Sequence, residues 1–238
     1  SSRRAPSWRH CIDWDLGNAQ DAAELSPGDS GSASFRFASL ADLTGKSKDI
    51  TLEFSLSGTA GARPVTVTET RTVKVASQVT LASSIVYSTG AFINKGPIPP
   101  KAEEETTYTV RWSVGNTQNE LTGTKVTARL GSAVKWLGAK STASESIAYD
   151  EGTNTVTWDL GALASGTGFS LPGREVSFQV GITPSVSQVG TVPMLVNNIA
   201  LSGFETVAGK TITVNAQPLT TNMPSDPTFI QGDGIVGK

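Results

Sequence analysis

The chain has 238 residues, of which 37% are hydrophobic and only 17% charged, and its formal net charge at pH 7 is −2. This content suffices for one large or two ordinary domains with hydrophobic cores, and without a basic stripe we expect no nucleic-acid partner. Cys11 is the single cysteine, so a disulfide-stapled domain is excluded.

An internal repeat organises the sequence. Trp14–Gly17 (Trp-Asp-Leu-Gly) returns 144 residues later as Trp158–Gly161, and Leu56–Gly58 (Leu-Ser-Gly) returns 145 residues later as Leu201–Gly203. Small differences in offset place insertions in loops and keep the elements in order, which predicts tandem β modules. Two further matches join Pro27-Gly28 to Pro172-Gly173 and Ala33–Phe37 to Val176–Val180.

The boundary between the modules is expected near Val73–Val79. Arg63–Val75 predicts the closing strand of the first module, and Gln78–Tyr87 predicts the opening strand of the second. No Gly/Ser linker separates them, so we expect end-to-end modules with limited bending. We predict an incomplete module over residues 1–77, a complete module over 78–221 and a carboxyl-terminal tail over 222–238 that is either packed on the surface or partly mobile.

Strand signals continue through the second module. Gly96–Pro100 predicts an extended connector, and the next strand alternates an inward face with a solvent face of Thr107, Thr109, Arg111 and Ser113. Ile147–Tyr149 and Thr155–Trp158 predict a hairpin, closed by a glycine-bearing loop over Asp150–Asn154. The expected inward residues are Tyr108, Val110, Trp112, Val114, Val126, Ala128, Leu130, Val134, Trp136, Ile147, Tyr149, Val156, Trp158, Ile212 and Val214.

These patterns predict an all-β chain of tandem immunoglobulin-like β-sandwiches, the first incomplete at its amino end. Shifting the second module back by the repeat offset leaves the counterparts of about Val79–Ser146 without a match in the first. Four tryptophans are expected to lie in cores: Trp14, Trp112, Trp136 and Trp158.

The second module resembles a repeat domain that occurs in tandem in bacterial cell-surface proteins. The strings that carry the resemblance are Gly96–Lys101, Thr106–Val110, Asn154–Gly161 and Arg174–Phe178. That family has no assigned function and no catalytic or binding residues to transfer, and it adopts immunoglobulin-like sandwiches. The resemblance implies an extracellular, cell-surface location, with a membrane anchor, if there is one, upstream of residue 1.

No catalytic, cofactor or metal site is predicted. His10 is the single histidine, and no Gly-x-Ser-x-Gly motif provides a nucleophile, so we expect no enzyme. Two groups of carboxylates fit no calcium loop and are expected to face solvent: Asp13, Asp15 and Asp21, and Asp150 with Glu151. The run Glu103–Glu105 is likewise expected to be solvated.

Two further possibilities follow from residue types. An intramolecular isopeptide bond would draw on Lys125, Lys135 or Asn197, although nothing in the sequence places them together. Trp8, Phe92 and Phe229 fall outside the core alternation and are candidates for packing on a neighbouring module, a second subunit or a glycan.

The leading hypothesis is a non-enzymatic structural or adhesive module, whose partners are copies of itself or neighbouring surface modules. It includes assembly into a filament or sheath by β-strand complementation, because an incomplete sandwich leaves open edges and an uncovered apolar face. The missing strands can come from upstream in the same chain or from another chain. The alternative is a glycan- or protein-binding module of a surface receptor or cell-wall enzyme.

Overall fold

The structure is a computed structural model that describes residues 49–238, together with Ser26, Gly28, Ser30, Ser32, Ser34 and Arg36. The chain divides into two compact units, residues 1–43 and 44–238, and the second contains every strand described below. The division at residues 77 and 78 stays a prediction. Several residues singled out in the sequence lie outside the described residues: Trp8, His10, Cys11, Asp13, Trp14, Asp15 and Asp21.

The described residues form antiparallel β-strands with one short 3-10 turn at Val186–Gln188. In chain order the strands are β1 Asp49–Ala60, β2 Arg63–Lys74, β3 Val79–Val86, β4 Thr106–Asn116, β5 Leu121–Leu130, β6 Val134–Lys140, β7 Ser146–Asp150, β8 Thr155–Leu163, β9 Arg174–Ile182, β10 Met194–Glu205, β11 Lys210–Asn215 and β12 Leu219–Thr220. Within this part of the chain, no helix has the length and apolar character needed to cross a membrane.

Strands β3–β12 build a β-sandwich. One sheet has the order β11-β10-β5-β8-β7, with β12 paired to β10, and the other has the order β3-β4-β9-β6. The orders β3-β4-β9-β6 and β11-β10-β5 match the A-B-E-D and G-F-C sheets of immunoglobulin-like domains. The hairpin β7–β8 extends the second of these sheets. The predicted all-β, immunoglobulin-like class is confirmed.

The core of the sandwich is aromatic at its centre. Trp112 and Trp158 are buried as predicted, and Trp112 meets Phe178 edge-to-face with ring centroids 4.8 Å apart. Trp136 is only half-buried. It packs against the margin of the core, stacked on Tyr149 at 5.8 Å. Aromatic pairs of this kind add about 0.5–1.5 kcal/mol beyond the burial of their area.

The predicted hairpin is β7–β8. Ile147 lies opposite Trp158, and Tyr149 lies opposite Val156, so all four share the core-facing side. The Tyr149 hydroxyl donates a hydrogen bond to Asn154 Oδ1 (2.7 Å) at the end of the loop. The left-handed φ of Asn154 (54°) is a conformation that asparagine tolerates better than most residues.

The prediction of which β4 residues face solvent is wrong for two of them. Thr107 and Thr109 are buried, although the inward residues of the strand are placed as predicted. The segment before β4 folds back over this face: Lys95 N donates to Thr107 Oγ1 (2.7 Å), and Asn94 Nδ2 donates to Thr109 Oγ1 (3.0 Å). Threonine tolerates this burial because its hydroxyl has a partner.

The tail over residues 222–238 packs on the sandwich. Val236 is buried, and Gly237 N donates to the Pro100 carbonyl (2.8 Å) while Ala102 N donates to the Gly237 carbonyl (3.1 Å). These bonds tie the tail to the connector that precedes β4.

Candidate interaction surface

The hairpin β1–β2 has two chemically different faces. Its strands pair in continuous register from Asp49 opposite Lys74 to Ala60 opposite Arg63. Cross-strand partners project to the same side of a sheet. One side, called the apolar face below, carries Ile50, Leu52, Phe54, Leu56, Val65, Val67 and Val73, with Glu69 and Arg71 among them.

The opposite side of the hairpin carries hydroxyl groups. Its residues include Thr51, Ser55, Ser57, Thr59, Thr66, Thr68, Thr70 and Thr72. A division into a mostly apolar and a polar side is typical of a sheet that buries one side and presents the other to water. The hairpin therefore has the distribution of apolar and polar residues expected for two neighbouring strands of a β-sandwich.

The apolar face is nonetheless open to solvent. Leu56 is 55% exposed and Val67 is 60% exposed, and Phe54, Val65 and Val73 are also exposed. Contiguous apolar area on a protein surface marks sites of association. Leu56 lies opposite Val67, and Phe54 and Val65 are their next neighbours on the same face, so these four residues form one patch.

The hairpin β10–β11 has the same pattern of apolar residues, but its apolar side is buried. Strands β1 and β10 each span 12 residues, and their ends are offset by 145 residues (194 − 49 and 205 − 60). Leu56 pairs with Val67, and the counterpart Leu201 pairs with Val214.

The environment of the two hairpins differs. Leu201 is fully buried, and Ile212 and Val214 pack against the core under the facing sheet. On its other edge β10 pairs with β5, whereas β1 pairs with β2 alone within residues 49–238. The apolar side of β1–β2 is therefore exposed, whereas the corresponding side of β10–β11 is packed against the core.

A buried polar cluster holds the connector between β2 and β3 against the sandwich. Ser77 N donates to Glu205 Oε1 (3.1 Å), and Ser77 Oγ donates to the Asn119 carbonyl (3.2 Å). Asn119 Nδ2 donates to the Val75 carbonyl (2.7 Å) and also to Glu205 Oε1. The side chains of Glu205 and Asn119 are fully buried, and neither was singled out from the sequence.

A second polar cluster fixes the tail. The Asp226 carboxylate accepts hydrogen bonds from Tyr87 N (2.6 Å), Ser88 N (2.7 Å), Ser88 Oγ (2.6 Å), Thr228 N (3.0 Å) and Thr228 Oγ1 (2.8 Å). Burial raises the pKa of Asp226, but these hydrogen bonds outweigh it and hold the pKa well below its usual range. Asp226 is thus a charged anchor that joins the tail to the end of β3.

The repeated Trp-Asp-Leu-Gly motif has a structural role in the second module. Trp158 Nε1 donates to Glu145 Oε2 (2.7 Å), and Arg174 forms a bidentate pair with the same carboxylate (3.0 and 2.6 Å). Arg174 Nη1 also donates to the Leu160 carbonyl (2.7 Å). Because Trp158 and Arg174 lie in different sheets, Glu145 bridges the sandwich.

The remaining residues of interest are dispersed. Lys125 lies opposite Ser202 and pairs with Asp159 (3.6 Å). Lys135 lies opposite Gly181 in the other sheet, and Asn197 lies opposite Arg129. The strand register thus does not pair the three candidates for an isopeptide bond with one another.

The acidic residues of the β7–β8 loop serve the turn. Asp150 accepts bonds from Thr153 Oγ1 and Gly152 N, both 2.9 Å, and these bonds lower the pKa of its carboxyl group. Glu151 and the run Glu103–Glu105 are exposed. Within the described part of the chain, no group of three or more His, Cys, Asp or Glu side chains is arranged to hold a metal ion.

The two predicted loop aromatics that the structure describes, Phe92 and Phe229, do not form an open platform. Phe229 packs against the core, and Phe92 is half-buried. The more exposed aromatic side chains are Phe169 (60%) and Phe204, on different elements. A shallow groove of about 320 Å³ crosses the outer side of β3, β4 and β9, and it is lined mainly by serines with Arg111 and Glu175.

Comparison with known proteins gives a distant structural similarity. No family model matches the chain, and no curated protein matches it. Among solved structures, the chain is similar to the major pilin subunit of Bacillus cereus, with 10% sequence identity and a TM-score of 0.42. The similarity covers 76% of this chain and 66% of that one. The resemblance to the bacterial repeat family, with the location that it implies, stays a prediction.

Proposed function

We propose that this chain is a non-enzymatic structural module of a bacterial cell surface, in which the β1–β2 hairpin belongs to an unfinished sandwich that further strands complete. The observation that carries the proposal is the contrast between two hairpins with matching residue patterns. One covers the core of a sandwich, while the other presents the same apolar pattern to solvent.

The exposed hairpin is unfavourable as an isolated element. A two-stranded hairpin is at best marginally stable by itself in water. Burying a Leu, Val or Phe side chain contributes roughly 1.5–3 kcal/mol. Covering Leu56, Val65 and Val67 would therefore contribute several times the energy of a typical surface contact.

The proposed occupant is a second copy of the chain, which would pack its own apolar face on this one. In a two-fold arrangement the same patch serves both copies. The face carries both signs of charge, and Glu69 and Arg71 are close enough to pair within one chain. A two-fold partner can therefore offer the opposite charge to each of them.

Sedimentation velocity over a concentration series tests this proposal. Leu56→Glu and Val67→Glu place a carboxylate on the apolar face, and the adjacent cross-strand pair on the hydroxyl face supplies the controls, Ser57→Glu and Thr66→Glu. We expect concentration-dependent association of the wild type and of both controls, with its loss in both apolar-face variants.

Two results would contradict association through this face. The first is a wild-type chain that is monomeric at every concentration, which would favour completion by strands of the same chain. The second is association that Leu56→Glu and Val67→Glu leave unchanged.

A further inference from the structure

The groove on the outer side of β3, β4 and β9 has a floor of small polar side chains. The strand register places six of its lining residues in two neighbouring rows on this face: Ala82, Ser113 and Glu175, and Ser84, Arg111 and Ser177. Threonine, which suits strand surfaces, is common on the polar side of β1–β2, whereas these rows carry serine and alanine. The floor therefore lies low between the long side chains of Arg111 and Glu175.

An exposed aromatic ring lies in the next row of the same face. Gly115 follows Ser113 by two residues along β4 and therefore projects to the same side. A Cβ at Gly115 would come 3.3 Å from Phe169 Cε2, so the ring of Phe169 lies over this glycine. Gly115 is buried, whereas Phe169 remains 60% exposed. The ring thus rests on the sheet and is still accessible from solvent.

The loop that carries Phe169 is fixed by backbone hydrogen bonds. The Gly166 carbonyl accepts bonds from Phe169 N (3.0 Å) and Leu171 N (2.9 Å), and Gly168 N donates to the Leu171 carbonyl (2.9 Å). Asn116 N donates to the Thr167 carbonyl (2.8 Å), which joins the loop to the end of β4. The ring is therefore held in place before any ligand arrives, which lowers the entropic cost of binding.

The opposite end of the groove is bounded by the tail. Ser225 lines the groove there, next to Asp226, whose carboxylate accepts the bonds from Tyr87 and Ser88 at the end of β3. From Gly115 to Arg111 the face extends over about 14 Å at the rise of an antiparallel strand. This length suits a chain of several small rings better than a single one.

The polar groups of the groove match a ligand that is neutral and rich in hydroxyls. Arg111 offers donors, Glu175 offers acceptors, and each serine hydroxyl can act as either. Arg111 lies opposite Ser177, two residues from Glu175, so the two charges are diagonal neighbours of opposite sign. An anion would instead be bound by an excess of cationic donors.

The exposed ring and the sheet face favour a saccharide over a peptide. The face of an aromatic ring is electron-rich and attracts the C–H groups that a sugar ring presents on its apolar side. An extended peptide that adds to a sheet binds through backbone groups at an edge, whereas the backbone of β4, in the floor of this groove, is paired with β3 and β9 on both sides. Recognition here must come from side chains.

We propose that this groove binds a neutral oligosaccharide. Phe169 would stack on one sugar ring, Arg111 and Glu175 would exchange hydrogen bonds with the hydroxyls of the next rings, and the serines would contact the chain from below. The site lies on β3, β4 and β9, whereas the proposed association uses β1 and β2. It is therefore independent of that association, and it would add glycan binding to a structural role.

Calorimetric titration with neutral tetrasaccharides tests the site. The probes are cellotetraose, maltotetraose and the tetramer of N-acetylglucosamine, and tetragalacturonate is the acidic comparison. We expect at least one neutral probe to bind, and Phe169→Ala to weaken its binding about tenfold through the loss of stacking. Phe169→Trp keeps an aromatic face and should retain binding, and Phe204→Ala, at an exposed phenylalanine of the other sheet, is the control.

A second pair of variants tests the hydrogen-bonding groups. Arg111→Met keeps the length of the side chain but removes its donors, so it should weaken binding of the same probe. Arg129→Met makes the same change at an exposed arginine of β5 and should leave binding unchanged. Thermal unfolding of each variant shows whether the fold is retained.

Changes in NMR chemical shifts on addition of the bound probe locate the site. We expect them at Ser84, Ser113, Ser177 and the Phe169 ring, and not in the β7–β8 hairpin. The proposal is overturned if no neutral probe binds at about 10 mM, a concentration that reveals millimolar affinity. It is also overturned if only tetragalacturonate binds, if folded Phe169→Ala binds like the wild type, or if the shifts lie elsewhere.

Discussion

Leu56 and Leu201 occupy equivalent positions 145 residues apart (201 − 56), yet Leu56 is 55% exposed and Leu201 is completely buried. Each lies on the apolar side of a hairpin, opposite a valine of the partner strand: Val67 for Leu56 and Val214 for Leu201. The two leucines therefore lie in the same local pattern of apolar residues, and this pattern favours burial of both side chains. The difference arises from what packs against each hairpin, which is the facing sheet for Leu201 and solvent for Leu56.

Truncating these two leucines should have unequal effects. Leu201→Ala leaves a cavity in the core and should lower the free energy of unfolding by about 2–5 kcal/mol. Leu56→Ala should change it by less than about 0.5 kcal/mol in the unassociated chain, as is usual for an exposed position. Urea unfolding followed by the fluorescence of the buried Trp112 and Trp158 measures both. Equal losses would show that the apolar face is already covered.

Asp226 should make the tail sensitive to acid. The pKa of its carboxyl group is depressed in the folded protein, so ionised Asp226 stabilises the fold at pH values above the unfolded value of 3.8. This contribution is lost as the pH falls below that value toward the folded pKa. Unfolding measured between pH 7 and pH 2 should show a decline that begins near pH 4.

Asp226→Asn should remove part of this acid dependence. It should also lower the stability at neutral pH by about 1–3 kcal/mol, since the amide NH2 would face N–H donors. Glu151→Gln, in the exposed β7–β8 loop, is the control and should behave like the wild type. If the pH profiles of Asp226→Asn and the wild type coincide, Asp226 does not hold the tail through its charge.

The bridge between Glu145 and Arg174 should contribute more than the ion pair between Lys125 and Asp159. The first pair is bidentate and mostly buried, whereas the second has a single contact at 3.6 Å and is about half-exposed. Double-mutant cycles should give a coupling energy of about 1.5–3 kcal/mol for the charged hydrogen bonds of the first pair. The second should give about 0–1 kcal/mol. Comparable values for the two pairs would contradict a bridging role for Glu145.

The sequence predicted the structure best for strands in which every second residue is apolar and faces the core of the sandwich. The inward face of β4 and the pairing of Ile147 with Trp158 followed from the alternation and the loop length. Strand β2 falls within the predicted Arg63–Val75, and β3 within Gln78–Tyr87. Such local signals fix which side of a strand is apolar, because successive residues project to opposite faces.

Contacts between distant segments could not be predicted in the same way. Thr107 and Thr109 are buried by Asn94 and Lys95, and alternation carries no information about a covering loop. In the sequence, Glu205 is an ordinary carboxylate at the end of a strand. Its hydrogen bond depends on the packing of β10 beside Asn119, 86 residues earlier. The one local signal was at Asp226, where Asp-Pro-Thr favours a turn closed by the aspartate side chain.

Electron microscopy of the purified chain is the most direct test of the central claim, that the apolar face of β1–β2 is covered by a second copy. The account predicts two-fold dimers for the wild type and for Thr66→Glu, and monomers for Val67→Glu. Monomeric wild-type particles at concentrations where the chain stays folded would contradict the account.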